Sequence, residues 1–316
     1  MRAVHDRRVI RMKINMLIPH TLEIPSLIQS WEYDVGFAEV KKAMQLADTL
    51  GFNKCTLGEH FLIPKDHLDL SGAFWHHGTV ALGVIAGQTE NIGLSSSINI
   101  LPLQHAIVQA KAWSTLDWYS GGRATPVVAV GWLEPEFEML NVPFHERGKM
   151  MDEYVQAMLA LWYEEDPVFE GKYVSFRDVG YAPKPVNGKI PLWFGGDSEA
   201  PWKRVAKWGD GWQPAFSQPD KFPEVMDFIR SQPEYDGRPL GLYFPIEAMR
   251  VGEGHVETKA ANTEGSWDAQ QMIDLCGWLG GLGVTETNIP LPPLESFEAY
   301  LDRLRWVGEE IIPKLA

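Results

Sequence analysis

One pattern constrains this 316-residue chain more than any other. Eight times, a short apolar run of β type is followed by a longer stretch whose apolar residues recur at helical spacing. Lys13 to Ile18 reads as strand one. Val40, Ala43, Met44 and Ala47 then fall on one helical face, with Gly51 as the stop. KCTL is strand two and Thr79 to Ala86 helix two. IGLSSSINI is strand three, and Ala106 to Tyr119 is helix three, closed by Gly121-Gly122. ATPVVAV is strand four, and Lys149 to Trp162 a long amphipathic helix four. PLWFG, DGWQP, GLYFPIEAM and TNIPL read as strands five to eight. Their helices span Glu199 to Trp208, Phe222 to Arg230, Trp267 to Leu279 and Phe297 to Ile312. Between helix four and strand five, Val168 to Val186 alternates apolar and polar around Glu170-Gly171-Lys172, the signature of a β-hairpin insertion.

Eight βα units at this length point to an α/β protein of the (β/α)8 TIM-barrel class. A doubly wound sheet is the alternative. Against it, strand one runs into PHTLEIPSL rather than the glycine-rich turn of a dinucleotide fold. The expected organisation is one barrel domain over 13–316 behind an N-terminal extension of residues 1–12, with Met12 as an alternative start.

Composition narrows the partners. Asp and Glu number 42 against 28 Lys and Arg, a net charge of −14, which argues against nucleic acid or an anionic membrane as partner. Two cysteines, Cys55 and Cys276, make neither a disulfide framework nor a zinc cluster. No apolar run approaches the ~18 residues of a membrane span, and the basic start lacks a signal-peptide core. A cytoplasmic location is expected.

In a barrel the chemistry gathers where the strands end. Those ends carry Pro19-His20, Gly58-Glu59-His60-Phe61, the Ser95-Ser96-Ser97 run with Asn99, Gly131-Trp132, Gly195-Gly196-Asp197-Ser198 and Trp212-Gln213. Charges are few and aromatics many. No strand ends in a lysine for a Schiff base, and the spacing of His60, His67, His76 and His77 matches no metal-ligand pattern, so no metal is expected. The double glycine between an apolar strand and a helix suits a phosphate, because the helix start offers free N–H groups and a positive dipole end. A flat aromatic cofactor in an apolar slot, its phosphate on Gly195-Gly196, fits this set. His60 is the best acid–base candidate, since an imidazole titrates near neutrality. Phe61, Phe74, Trp75, Trp132 and Trp212 are expected to wall the substrate pocket.

The run GWLEPEFEMLNVPFHERGKMMDEYVQAMLALW, followed by PVFEGKYVSF, PKPV, PLWFGGDSE and AKWGDGW, resembles the bacterial-luciferase-like flavin oxidoreductases, in particular their deazaflavin-dependent branch. The resemblance runs from about Lys13 to Leu315. It implies a (β/α)8 barrel with insertions and a dissociable cofactor, reduced FMN or the deazaflavin coenzyme. It also implies a non-prolyl cis peptide at Ser97–Ile98, behind the cofactor ring. It places the phosphate on Gly195-Gly196-Asp197-Ser198, the catalytic residues at Glu59 and His60, and further cofactor contacts at Gly131 and Trp132. Deazaflavin enzymes often carry a glutamate just after strand four. Here that place holds Trp132, with Glu134 and Glu136 further on, and the acidic chain suits the coenzyme's polyglutamyl tail poorly. FMN is therefore favoured. The implied activity is a monooxygenase that uses reduced FMN from a separate flavin reductase on a small apolar organic substrate, in a homo-oligomer. The alternatives are deazaflavin-dependent hydride transfer and flavin binding without turnover.

Overall fold

The strands of this chain are short and parallel, and they close on themselves. The structure is a computed structural model that describes residues 11–25, 27–246 and 267–315. In chain order the strands are β1 (Lys13–Leu17), β2 (Lys54–Leu57), β3 (Gly93–Ser96), β4 (Asn99–Ile100), β5 (Ala124–Thr125), β6 (Val127–Ala129), β7 (Phe169–Glu170), β8 (Ser175–Phe176), β9 (Trp193–Gly195), β10 (Gly211–Gln213), β11 (Gly241–Leu242) and β12 (Glu286–Asn288). One parallel sheet runs β12-β1-β2-β3-β5 and the other β11-β10-β9-β6-β4. A parallel bridge from Tyr243 to Glu286 joins the two sheets beside β11 and β12. β3 with β4, and β5 with β6, each make one barrel strand in two pieces. The eight strands read from the sequence are thus present, as a closed (β/α)8 barrel.

The two interruptions lie side by side and have separate causes. Pro126 has no N–H and breaks the ladder between β5 and β6. Side chains of β3 replace what is lost. The Ser95 hydroxyl donates to the Thr125 carbonyl (2.8 Å) and the Ser96 hydroxyl to that of Val127 (2.9 Å), while Val127 N–H donates back to Ser96 Oγ (2.9 Å). Directly after β3 the Ser97–Ile98 peptide is cis, as the resemblance implied.

The insertion is smaller than the alternation suggests. Only β7 and β8 pair antiparallel, and residues 177–186 run on as a loop containing Gly180, Pro183 and Pro185. Glu153, on helix Arg147–Tyr163, anchors the hairpin turn by accepting from the N–H groups of Lys172, Tyr173 and Val174. The last helix is α-helical over Phe297–Trp306, widens to a π turn over Val307–Ile311 and resumes at Ile312. Residues 1–10 of the expected extension and Glu247 to Met249 of strand seven lie outside the described residues, whereas Met12 is buried in the core.

The N-terminal end of the barrel is filled. Trp193 lies across it, so close to Gly211 and Gly241 that a Cβ at either would come within 2.3 Å of its ring. Lys54 Nζ sits 4.4 Å from the centre of that ring and 2.9 Å from Glu286 Oε1, and Asn15 Nδ2 donates to Glu286 Oε2 (2.9 Å). Burial pulls the Lys54 ammonium below its ordinary pKa despite Glu286. Breaking a buried pair from one side strands the other charge, whereas replacing both partners by apolar groups is far less costly. Lys54→Met should therefore destabilise the fold by about 3 kcal/mol in urea denaturation, and adding Glu286→Leu should recover most of the loss.

Candidate active site

At the opposite end, strand phase decides which side chains reach the mouth. On β10 the Gln213 side chain points inward, and its Nε2 donates to Ser97 Oγ (2.8 Å). Its neighbour Trp212 points the other way. Trp212 is fully buried against Trp202 and Phe222, and its indole N–H donates to the Gly196 carbonyl (2.8 Å). Trp212 therefore does not wall the substrate pocket. It packs between barrel and helices and holds the double-glycine turn.

His60 stands at the end of β2, its ring edge-on to Trp75 (4.8 Å) and Trp132 (6.1 Å). Its Nδ1 donates to Glu136 Oε2 at 2.8 Å, and Glu136 Oε1 accepts from the N–H groups of Phe61 (2.5 Å) and Leu62 (3.2 Å). Glu136 is wholly buried. A histidine that donates Nδ1–H to a carboxylate keeps Nε2 as the nitrogen that can take or give a proton. That Nε2 has no protein partner among the described residues. From the sequence Glu136 reads only as an acid beyond Trp132, not as the partner of His60. It lies on the short helix Glu134–Met139, and Glu136, Phe137 and Leu140 form that helix's inward face. The signal was an acid sharing a face with apolar neighbours.

Glu59 is turned below the mouth. It is 4 % exposed, accepts from the Gly78 N–H (2.9 Å) that opens helix Gly78–Ala86, and also accepts from the Asn99 amide. Burial pushes its carboxyl above the usual range, against the pull of these donors. Phe61 is partly buried over Ile100, Leu103 and Phe137. Phe74 stacks on the His20 ring at 4.5 Å. Burial disfavours the charge on His20, but Glu23 and the Val35 carbonyl outweigh it, and its pKa lies above the ordinary value. His67 pairs with Asp66, His76 faces the His20 carbonyl, and His77 precedes helix Gly78–Ala86. Among the described residues no three His, Cys, Asp or Glu converge as a metal set.

The floor of the mouth is a cradle of close backbone. A Cβ on Gly58 would lie 3.0 Å from the Ser97 carbonyl and 3.2 Å from Trp75, and one on Gly195 would lie 3.2 Å from Ile98. Gly131, at φ +80°, has Ile100 and Phe137 within 3 Å of where its Cβ would stand, and its carbonyl accepts from Arg147 (3.1 Å). Trp132 beyond it is 40 % exposed. Gly196 takes φ +126°, a conformation that favours glycine, and its N–H donates to the Gln213 carbonyl (3.1 Å). The Asp197 carboxylate accepts from the N–H groups of Ala215, Phe216 and Ser217, so it shapes the facing loop. Ser198 begins helix Glu199–Trp208 without a side-chain cap bond, leaving its hydroxyl and the first-turn N–H groups for another acceptor.

A barrel with a buried acid–base pair and a glycine-lined floor at its C-terminal mouth is the frame of an enzyme. The family model for luciferase-like monooxygenases matches residues 12–255, and the chain belongs to that family of oxidoreductases. Among its relatives is an uncharacterized protein of Mycobacterium tuberculosis, 37 % identical over 71 % of this chain and 73 % of that one. Another is the FMNH2-dependent dimethylsulfone monooxygenase of Pseudomonas putida, 26 % identical over 67 % of this chain and 57 % of that one. The fold is shared with the monooxygenase RslO1 from Streptomyces bottropensis, with TM-score 0.72 and 19 % identity over 96 % of this chain and all of that one. It is also shared with the coenzyme F420 dependent tetrahydromethanopterin reductase from Methanopyrus kandleri, with TM-score 0.68 and 18 % identity over 97 % and 99 %.

Glu136 holds three donors at once, so its loss should be felt in the fold itself. Glu136→Ala should cost about 3 kcal/mol in urea denaturation, because each buried donor left unpaired costs roughly 1–3 kcal/mol. Glu136→Gln, which keeps an acceptor for the two backbone N–H groups, should cost less than half as much.

Proposed function

We propose that this protein is a flavin-dependent monooxygenase that uses reduced FMN on a small apolar organic substrate. The observation that carries the reading is the His60–Glu136 pair, whose Nε2 has no hydrogen-bond partner among the described residues and whose ring lies edge-on to Trp75 and Trp132. The residues fit a flavin. Gly58 and Gly195 keep the floor free of side chains, and the buried Gln213 Oε1, which has no partner among the described residues, offers an acceptor for a ring N–H. Ser198 and the first turn of its helix offer donors for a phosphate, with Gly195, Gly196 and Asp197 setting the turn. When bound, reduced FMN supplies the electrons that let molecular oxygen react with an organic substrate.

The chain's own part is binding, positioning and proton handling. Glu136 fixes the His60 ring and its tautomer, and His60 Nε2 takes or gives the proton that the reaction moves. Trp75, Trp132, Phe61 and Phe74 bound an apolar slot that keeps water from the reacting atoms. Glu59 and Asn99 hold the floor from below. Exposed Val80, Val84 and Val108 on two packed helices support a homo-oligomer. A separate flavin reductase and a cytoplasmic location complete the proposal. Hydride transfer with a deazaflavin coenzyme is the second reading. The same His–Glu pair would serve it, because such a pair also suits proton exchange with an alcohol or carbonyl.

Two experiments test the proposal. Protein given NADH and a flavin reductase should consume oxygen in proportion to an added apolar substrate. Anaerobic bleaching of the deazaflavin coenzyme by an alcohol, with no such oxygen uptake, would establish the second reading instead. His60→Ala should leave FMN affinity within a few-fold and lower turnover by roughly 10²-fold, with His60→Gln recovering little. Gly196→Val, strained at φ +126° and set against Pro201, should weaken FMN binding at least ~10-fold with the far-UV spectrum unchanged. Equal affinity in both proteins would remove this turn from the cofactor site.

A further inference from the structure

A small cavity lies away from the mouth, in the seam where β1 and β12 meet helix Phe297–Trp306. It measures about 60 Å³ and is lined by Met16, Phe52, Leu291, Tyr300, Arg303 and Leu304 among others. Most of this lining is apolar core. Its polar members are Asn15, Asn288, Tyr300 and Arg303, and of these only Arg303 carries a charge.

The Arg303 guanidinium makes one hydrogen bond, from Nη2 to the Pro290 carbonyl (3.0 Å), and lies 3.9 Å from the centre of the Trp306 ring. Its Nε is buried and has no acceptor among the described residues. Among the described residues no carboxylate comes within ion-pair distance of it. The acids nearest in sequence are engaged elsewhere: Asp302 pairs with Arg305 and Glu298 with Lys42. Burial lowers the Arg303 pKa to about 10, with no neighbouring charge opposing the shift. A guanidinium carries five N–H donors and stays charged at neutral pH; this one is half-buried, and a partly desolvated cation without a counter-charge is costly. The ring face and one carbonyl offset part of that cost. Tyr300, buried on the same helix face one turn earlier, has its phenol pushed far above its ordinary pKa by burial, so it remains a neutral donor.

We propose that this cleft binds a small monovalent anion, a halide or a short carboxylate such as formate, on the Arg303 guanidinium. The volume decides the size class, since 60 Å³ holds an ion of a few atoms and no cofactor or drug-sized molecule. The anion would tie the last helix to the seam that closes the barrel. It is independent of the flavin reading, because no residue of the mouth takes part.

The test uses the purified full-length chain at constant ionic strength, with gluconate, too large for the cleft, as the balancing anion. Chloride and formate are titrated in separate arms. The wild-type thermal midpoint should rise by about 3 °C toward saturation in at least one arm, and the responding arm identifies the ion class. Arg303→Met, checked by far-UV circular dichroism, should lose the response and in gluconate be at least as stable as wild type, since it removes an uncompensated charge. Arg303→Lys should keep part of the response. Crystals soaked in bromide should show an anomalous peak beside Arg303. No midpoint change in either arm, or an equal change in wild type and Arg303→Met, would overturn the proposal, as would a response to chloride with a bromide map that lacks that peak.

Discussion

The site depends on one buried carboxylate. Glu136 comes from a short helix after one barrel strand, yet its oxygens hold the loop that follows another. His60, Phe61 and Leu62 are fixed together, and a flexible connection becomes a rigid wall of the mouth. Without that tie the imidazole would be free to turn about its own bonds, and its Nε2 would not face one place. A charge-assisted bond to a buried acceptor is among the stronger interactions a protein can build, and here it also selects the tautomer.

Much of the fold was legible because the physics is local. Strand and helix alternate along the chain with their own periods, and β9 with helix Glu199–Trp208 falls where PLWFGG and its helical continuation place it. The hairpin was half legible. Alternation announced Phe169 to Phe176, but the same alternation beyond Arg177 never became sheet, because Pro183 and Pro185 withhold N–H donors.

The site was less legible, for reasons of phase and distance. Trp212 and Gln213 are adjacent, and only the register of β10 against β9 says which one faces inward. The inward residue proved to be Gln213. Glu136 sits 76 residues from His60, and no local pattern links them. The two glycines of the turn also divide their work in a way sequence cannot show. Gly195 clears space beside Ile98, whereas Gly196 supplies the φ that only glycine adopts easily.

Trp193, laid across the far end of the barrel with Lys54 and Glu286 packed against it, has a consequence for traffic. A cylinder stoppered at one end has a single doorway. Whatever enters must leave by the same route, past Trp132 and the loop that carries His60. Two visitors that need the interior together must therefore queue, and the one that sits deeper goes in first and comes out last. For two ligands sharing the interior, order of arrival and departure would then be a matter of architecture, set from the far end of the barrel by Trp193.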